Sequence, residues 1–223
     1  MLKFSQLLEG NNFFKNSYFK KNRKDFLKLA KEGQHPQALF IGCSDSRVIP
    51  NLITQTLPGE IFVIRNVGNF VAPFKLDEDF HSTASAIEYA VKALKVSEII
   101  ICGHTQCGAI EALHNGIDKD IFVHTQKWLS LGEKAKELAI SRLGKNAKKE
   151  DLFRLTEKLS VVTQIENLLS YPFIKEKLEK GTLHICGWIY DVHTGSIEYY
   201  NSEESVFKQL DESLVRIQKE DNN

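Results

Sequence analysis

QALFIGC (37–43) leads directly into SDSR (44–47), so an apolar segment of strand length ends in a cluster of polar and charged side chains. A short apolar run bounded in this way is typical of a strand buried inside a sheet. Two further runs have the same character, EIFVIRN (60–66) and EIIICGH (98–104), and the second of them ends at another polar motif. The sequence therefore predicts buried strands whose last residues carry chemistry.

Segments with helical patterns lie between and after these runs. They are predicted at 12–32, 82–94, 108–114, 120–143, 149–170, 173–180 and 203–219. Two later strands, TLHICGWIY (182–190) and SIEYY (196–200), bracket the turn 191–195, which is the signal of a hairpin. Strands that alternate with helices predict an α/β fold with a central, mostly parallel sheet flanked by helices and an antiparallel strand at one edge.

The chain shows no internal repeat and no linker rich in Pro, Gly or Ser. We expect a single domain over 1–223, made of an N-terminal helical arm (1–33), an α/β core (34–201) and a C-terminal helix (202–223). The arm is rich in aromatic residues among many lysines, which is more apolar surface than a peripheral helix needs and is typical of an interface.

Charge and hydropathy argue against several classes of partner. Lys+Arg and Asp+Glu are 29 each, so the formal net charge is zero, and nothing in this balance favours binding to nucleic acid or to an anionic membrane. No apolar run approaches the length of a membrane span. The first residues lack the pattern of a secretory signal peptide, and we expect a cytoplasmic protein.

The chemistry is carried by residues that directly follow two predicted strands. Cys43 ends the first run, and the motif GHTQCG (103–108) follows the third, with His104 and Cys107 three residues apart. Loops at the carboxyl ends of parallel strands converge on one crevice. Two thiolates and one imidazole suit Zn²⁺ and leave its fourth position open to water, which is the mark of a catalytic site. The sequence predicts one Zn²⁺ per chain at these three side chains.

Asp45 and Arg47 follow the first predicted ligand at two and four residues. A guanidinium binds a carboxylate through two parallel hydrogen bonds, so Arg47 can keep Asp45 ionised and away from the metal. Asp45 can then orient water in the open position. Gly103 and Gly108 leave room for a substrate, and the Gly108 amide is a candidate donor to a developing oxyanion.

The other cysteines and histidines carry no comparable pattern. Cys102 and Cys186 lie within apolar strand runs, where packing in the core is the simpler interpretation. The remaining histidines have no partner at ligand spacing and are expected at the surface or at helix caps: His35, His81, His114, His124, His184 and His193. Cys43 and Cys107 as reduced core thiols, and Asp45–Arg47 as a plain surface ion pair, remain open alternatives.

The motifs together resemble the β-class carbonic anhydrases. CSDSR (43–47), PGEIFVIRNVGN (58–69), AIEYAV (86–91) and GHTQCG (103–108) carry the resemblance, which resumes at 167–181 and 187–195. It implies four parallel strands plus one antiparallel strand, zinc at the three ligands named above, and Asp45 and Arg47 as the gating dyad. It also implies a homodimer or homotetramer in which the N-terminal helices pack on the neighbouring subunit.

The family that the sequence resembles has two subgroups. A plant-like subgroup keeps the zinc open to water and has a glutamine nine residues before the first ligand, here Gln34. Its substrate-binding residues would be Phe62, Val67 and Tyr89. The other subgroup is inhibited by bicarbonate held by a tryptophan, an arginine and a tyrosine. This chain has Arg65 and Tyr190 at the matching positions but Phe40 in place of the tryptophan, which favours the plant-like subgroup.

The predicted function is therefore the zinc-dependent, reversible hydration of carbon dioxide to bicarbonate and a proton. Hydrolysis of a related small substrate such as carbon disulfide on the same fold is one alternative, and a zinc-binding module without turnover is another. A gating pair of charged residues argues against the module, because a purely structural zinc site has a fourth protein ligand. A redox dithiol protein is disfavoured because no CxxC motif occurs.

Overall fold

The computed structural model describes residues 3–76 and 80–210. Its strands are β1 (Ala38–Cys43), β2 (Ile61–Asn66), β3 (Glu98–His104), β4 (His184–Tyr190), β5 (Ile197–Asn201) and β6 (Val206–Gln209). They form one sheet in the order β2–β1–β3–β4–β5–β6. The pairs β1–β2, β1–β3 and β3–β4 are parallel, whereas β4–β5 and β5–β6 are antiparallel. The predicted α/β fold with a mostly parallel sheet is confirmed, and β6 adds a second antiparallel strand.

The helices begin with two in the N-terminal arm, α1 (Phe4–Phe14) and α2 (Arg23–Glu32), joined through a π-helical segment, Lys15–Phe19. The core contains α3 (Pro50–Thr54), α4 (Ser82–Glu88, continued by π-helical Tyr89–Ala93), α5 (Gly108–Asn115), α6 (Val123–Leu129), α7 (Glu133–Leu143), α8 (Lys149–Leu168) and α9 (Pro172–Glu179). Among these described helices, none is long and apolar enough to cross a membrane.

The two faces of the sheet are packed differently. Leu39, Ile41 and Ile99 point to one face, where they form the main core with residues of α4, α8 and α9. The alternate residues of the strands form a second cluster whose members all come from β1 to β4 and include the fully buried Phe40. Successive side chains of a strand point to opposite faces, which explains why neighbours in sequence belong to different clusters.

The C-terminal helix predicted for 202–223 is wrong over the part that the structure describes. Residues 202–205 form a turn, and β6 follows it in antiparallel pairing with β5. The rings of Tyr200 and Phe207 lie 5.2 Å apart between centroids, so the pairing buries aromatic surface that a helix would have directed elsewhere. Residues 211–223 lie outside the described residues.

Candidate metal centre

Three predicted ligands meet beyond the carboxyl ends of two adjacent parallel strands. Cys43 is the last residue of β1, His104 is the last residue of β3, and Cys107 immediately precedes α5. One ligand atom from each of the three lies within 4.8 Å of the other two. Because β1 and β3 are hydrogen-bonded neighbours, residues 61 positions apart in the chain reach one point.

The protonation of the His104 ring leaves one nitrogen free for a metal. The ring is fully buried, and its Nδ1 lies 2.9 Å from the carbonyl oxygen of Thr105. A carbonyl can only accept a hydrogen bond, so Nδ1 carries the proton and Nε2 carries a lone pair. This Nε2 is buried without a hydrogen-bond partner. A buried polar atom without a partner is costly, and a metal ion in the cluster would satisfy it.

The two thiols differ in their affinity for a proton. The hydrogen bond from Cys107 is the largest of the effects that lower the pKa of Cys43, which falls to about 4 despite burial. The same contact and burial raise the pKa of Cys107 well above its ordinary value. Sulfur that is already a thiolate is ready to coordinate a cation, and a bound metal takes the place of the shared proton. The donor set therefore fits Zn²⁺.

A tight turn after β2 completes the surroundings of Cys43. The backbone N–H of Gly68 faces its sulfur and helps to lower its pKa. Gly68 has φ +78°, and a Cβ there would lie 2.8 Å from the ring of Phe70. Only glycine fits this conformation and this space, so Gly68 allows the backbone to approach the ligand.

The side chains of Asp45 and Arg47 form an ion pair, while their gating role stays a prediction. Arg47 Nε lies 2.9 Å from Asp45 Oδ1, and Nη2 lies 2.7 Å from Oδ2. This bidentate contact is the main cause that holds the pKa of Asp45 well below its usual range. Asp45 Oδ2 is also 4.0 Å from His104 Nε2, the atom that faces the metal position. A charged carboxylate is thus held beside the ligands and is bound to arginine.

Further contacts hold the dyad in place from two directions. Arg65 on β2 donates from Nε to the carbonyl of Cys43 at 3.0 Å and from Nη2 to the carbonyl of Asp45 at 2.6 Å. Gln106 accepts from Arg47 Nη2 through its backbone carbonyl at 3.0 Å and from Nη1 through Oε1 at 3.3 Å. Arg65, matched to a bicarbonate pocket from the sequence, supports the backbone of the first ligand loop here.

Glu157 on α8 is a member of the site that the sequence analysis missed. Its side chain is almost fully buried; Oε1 accepts the backbone N–H of Cys107 at 3.0 Å and forms an ion pair with Arg154 Nη2 at 2.8 Å. Burial raises its pKa to about 7 against the opposing effects of these partners. No motif marks it, and the available signal was an acidic residue among the apolar positions of a long helix.

The predicted substrate-binding residues fall into two groups. Val67 directly follows Asn66, the register partner of Cys43, and Gly108 directly follows Cys107, so both lie beside the ligands. The other group lies near the opposite ends of the parallel strands, where β1 and β2 begin. Phe62 pairs with Leu39 near the start of β1 and contacts Tyr89 at 5.9 Å between ring centroids.

Gln34 belongs to this second group and is exposed in the loop before β1. The strand that separates it from Cys43 has six residues, or about 20 Å at the usual rise per residue. This single chain therefore does not bring Gln34, Phe62 and Tyr89 to the metal ligands. Their role in substrate binding stays a prediction.

The comparisons with known proteins agree with this geometry. The model of the carbonic anhydrase family matches residues 38–197. Carbonic anhydrase from Synechococcus elongatus is 39% identical over 214 residues, which cover 95% of this chain and 77% of that protein. The structure of the β-carbonic anhydrase CcaA superposes with a TM-score of 0.86 at 37% identity and covers 93% of this chain and 92% of its own.

A third comparison concerns assembly as well as fold. One of two tetrameric β-carbonic anhydrases from Sordaria macrospora matches with a TM-score of 0.76 at 33% identity and covers 88% of this chain and 95% of its own. The family match spans both ligand-bearing strands, and the ligand cluster, the sheet and the named relatives agree. The chain accordingly belongs to the carbonic anhydrase family, in its β class.

Proposed function

We propose that this protein catalyses the reversible hydration of carbon dioxide to bicarbonate and a proton with one zinc ion held by Cys43, His104 and Cys107. The observation that carries the proposal is the buried, unpartnered Nε2 of His104 beside two sulfur atoms. When bound, zinc supplies a Lewis acid that lowers the pKa of a water molecule in its open position.

The chain's own residues supply orientation and charge. Asp45 is ionised and fixed by Arg47, so its carboxylate can accept a hydrogen bond from the attacking water and align a lone pair with the substrate carbon. The Gly108 amide lies in the first turn of α5, where backbone N–H groups have no acceptor within the helix. It is a donor for the oxygen that becomes negative as carbon dioxide is attacked.

A stopped-flow assay of carbon dioxide hydration, with zinc content measured in the same sample, tests the proposal. We expect about one zinc per chain and a hydration rate that is lost on chelation and restored by Zn²⁺. Zinc-loaded protein that turns over carbon disulfide but not carbon dioxide would favour the related hydrolase. A loaded protein that turns over neither would favour the module without turnover.

We also propose that the protein belongs to the plant-like subgroup with an open zinc site. Two observations support this. Arg47 binds both oxygens of Asp45 in a bidentate contact, which favours the carboxylate paired with arginine over a carboxylate bound to the metal. Phe40 is fully buried beside Trp188 and has no hydrogen-bond donor to offer an anion on its face of the sheet. A pocket that lacks one donor binds bicarbonate more weakly, so we expect little inhibition by it.

Surfaces that one chain leaves exposed support a homodimer or homotetramer. Residues of α1 are all exposed, with Phe4 at 75% and Phe13 at 74% of their full accessible area. The second cluster, on the face of the sheet that carries Phe40, also has half-buried members, among them Val63 and Trp188. Apolar surface of this kind marks an interface. A neighbouring subunit would also explain how Gln34, Phe62 and Tyr89 reach a substrate pocket that their own chain does not bring to them.

Sedimentation at micromolar concentration tests the assembly, with removal of the arm residues 1–33 as the variant. We expect the intact chain to sediment as a dimer or larger and the shortened chain to shift toward monomer. A stable, active monomer of the intact chain would contradict the proposal.

A cytoplasmic location is proposed as well, and it is supported by four cysteines that are all free thiols.

A further inference from the structure

His193 makes a contact that links the turn between β4 and β5 to the gating pair. Its Nε2 lies 2.7 Å from Gln106 Nε2, and Gln106 Oε1 lies 3.3 Å from Arg47 Nη1. The turn is itself fixed to the ligand loop, because the backbone N–H of Val192 donates to Thr105 Oγ1 at 3.0 Å. The chain of contacts runs from an exposed imidazole to the guanidinium that holds Asp45.

The chemistry of the donors fixes the orientation of each group in this chain. Arg47 can only donate, so the Gln106 amide must present its oxygen to Arg47 and its NH₂ group to His193. The NH₂ group donates, so His193 Nε2 must accept, and the proton of the neutral imidazole resides on Nδ1. The neutral ring is the only form of His193 that satisfies both neighbours of the amide.

A protonated His193 would break this arrangement. Its Nε2 would then carry hydrogen and face the NH₂ group of Gln106, which places two donors against each other. Turning the amide over relieves that contact but presents the NH₂ group to Arg47, where it again opposes a donor. Either orientation loses one hydrogen bond of the chain from His193 to Arg47: the bond that anchors the Gln106 amide, or the bond from Arg47 to that amide.

We propose that His193 is a positioning residue for the reaction: in its neutral form it holds the Gln106 amide in the orientation that supports Arg47, and protonation withdraws this support. The proposal rests on the proposed function of Asp45 and Arg47. Within the described residues, the charged groups near His193 in these contacts are Asp191 and Arg47. Asp191, on the same turn, accepts the backbone N–H of His193 at 2.7 Å, and Arg47 lies beyond the Gln106 amide.

The backbone conformations of the turn and of the ligand loop both hold His193 and Gln106 in position for this contact. Asp191 Oδ1 accepts the N–H groups of both His193 and Thr194, which fixes the backbone that presents the imidazole. Gln106 has φ +57°, a left-handed conformation that is uncommon for a residue with a side chain. In this conformation its carbonyl and its side-chain oxygen both accept from the same guanidinium.

Two substitutions of His193 distinguish the loss of a hydrogen-bond acceptor for Gln106 from the change in charge of the imidazole. In His193→Gln, a side-chain oxygen accepts from Gln106 at every pH, whereas His193→Ala has no acceptor at any pH. Histidine changes charge between about pH 5 and 8. The rate of carbon dioxide hydration, kcat/KM, should therefore be compared with that of the unmodified protein from about pH 9 down to about pH 6. His184→Gln, an exposed histidine at the other end of β4, is the matched control.

At the alkaline end we expect His193→Gln to match the unmodified protein and His193→Ala to be slower by about threefold, the effect of one exposed hydrogen bond. Toward the acid end the unmodified protein should approach His193→Ala, and His193→Gln should become the faster by a similar factor. His184→Gln should follow the unmodified protein throughout. If both His193 variants follow it as well, the proposal is overturned.

Imidazole ¹⁵N chemical shifts of His193 give a readout that does not depend on turnover. We expect the Nδ1–H tautomer at alkaline pH and a mixture of tautomers in Gln106→Ala, which removes the donor. A predominant Nε2–H tautomer in the unmodified protein would overturn the proposal. Zinc-loaded protein without hydration activity would count against the proposed function, and the tautomer measurement would still decide the contact itself.

Discussion

Asp45 and Glu157 approach the ligand cluster from different elements and in different states. Asp45 follows β1, and both of its oxygens are bound by Arg47, which holds its pKa well below the usual range. Glu157 comes from α8 and is buried at 3% exposure, with a pKa raised to about 7 and with Oε2 lacking a partner. Asp45 is therefore a fixed charge beside the ligand cluster, whereas Glu157 supports the backbone of Cys107.

The largest effects are expected from the ligands that both carboxylates surround. Cys43→Ser, His104→Ala and Cys107→Ser should each lose most of the zinc and all measurable hydration activity, because each removes one of three protein ligands. Zinc content and stopped-flow rates should be measured on the same samples. Cys186→Ser, a half-buried thiol outside the cluster, is the control and should keep both. Full zinc occupancy in two of the three ligand variants would refute the assignment.

The substitution Asp45→Asn should lower the hydration rate much more than the substitution Glu157→Gln. Asparagine keeps the shape but loses the charge and the bidentate pairing, so we expect retained zinc and a hydration rate lower by about tenfold or more, or at least about 1.4 kcal/mol of barrier. Glu157→Gln removes a carboxylate near the same cluster but keeps an oxygen for the Cys107 amide. Its rate should fall by less than about threefold. Equal hydration rates in the two variants would contradict the different roles assigned to Asp45 and Glu157.

The same pair of residues should differ in the sign of its effect on stability. The folded chain raises the pKa of Glu157 from its ordinary 4.5 to about 7 through burial, so between these values the folded state holds a proton that the unfolded state releases. Glu157 therefore contributes stability to the metal-free protein that is lost as pH rises through this window, by up to about 3 kcal/mol, whereas Cys43, whose pKa falls to about 4, contributes in the opposite direction. Asp45, with its lowered pKa, contributes stability that is lost only as pH falls below its ordinary 3.8.

Urea unfolding of the metal-free protein at about pH 5 and about pH 7 measures how the free energy of unfolding changes across this window. Glu157→Gln has no ionisable group at this position, so its free energy of unfolding should rise more, or fall less, with pH than that of the unmodified chain, while the contribution of Cys43 is the same in both. Asp45→Asn should leave the slope in this window unchanged, since its carboxyl is ionised at both pH values. Identical slopes in the unmodified chain and in Glu157→Gln would contradict a raised pKa for the buried carboxyl.

The sequence was most informative where local patterns and the site coincide. Cys43 and His104 end buried strands, and the spacing from His104 to Cys107 is local, so the ligand set and the parallel order of β1 and β3 could be inferred together. Glu157 could not be found in this way, because its contact with Cys107 spans 50 positions and arises from the packing of α8 against the sheet. Its charge is also atypical of a buried position.

One other expectation, the C-terminal helix, was wrong for an equally physical reason. The tail was predicted as a helix from its pattern, but β6 pairs with β5 and closes a hairpin that only the tertiary structure reveals. The assignment of His193 to the surface is confirmed by its exposure, but its contact with Gln106 could not be inferred because it joins loops 87 positions apart. Gln34, Phe62 and Tyr89 lie far from the ligands because the strand β1 separates them along the sheet.

A crystal structure of the zinc-loaded protein at about pH 7, with anomalous scattering recorded at the zinc edge, tests the central claim most directly. We expect one anomalous peak between the sulfur atoms of Cys43 and Cys107 and Nε2 of His104, at zinc–ligand distances of about 2.0–2.3 Å. The fourth position should hold a non-protein ligand, and Asp45 should remain bound to Arg47. A peak coordinated by Asp45, or the absence of zinc from these three residues, would contradict the account.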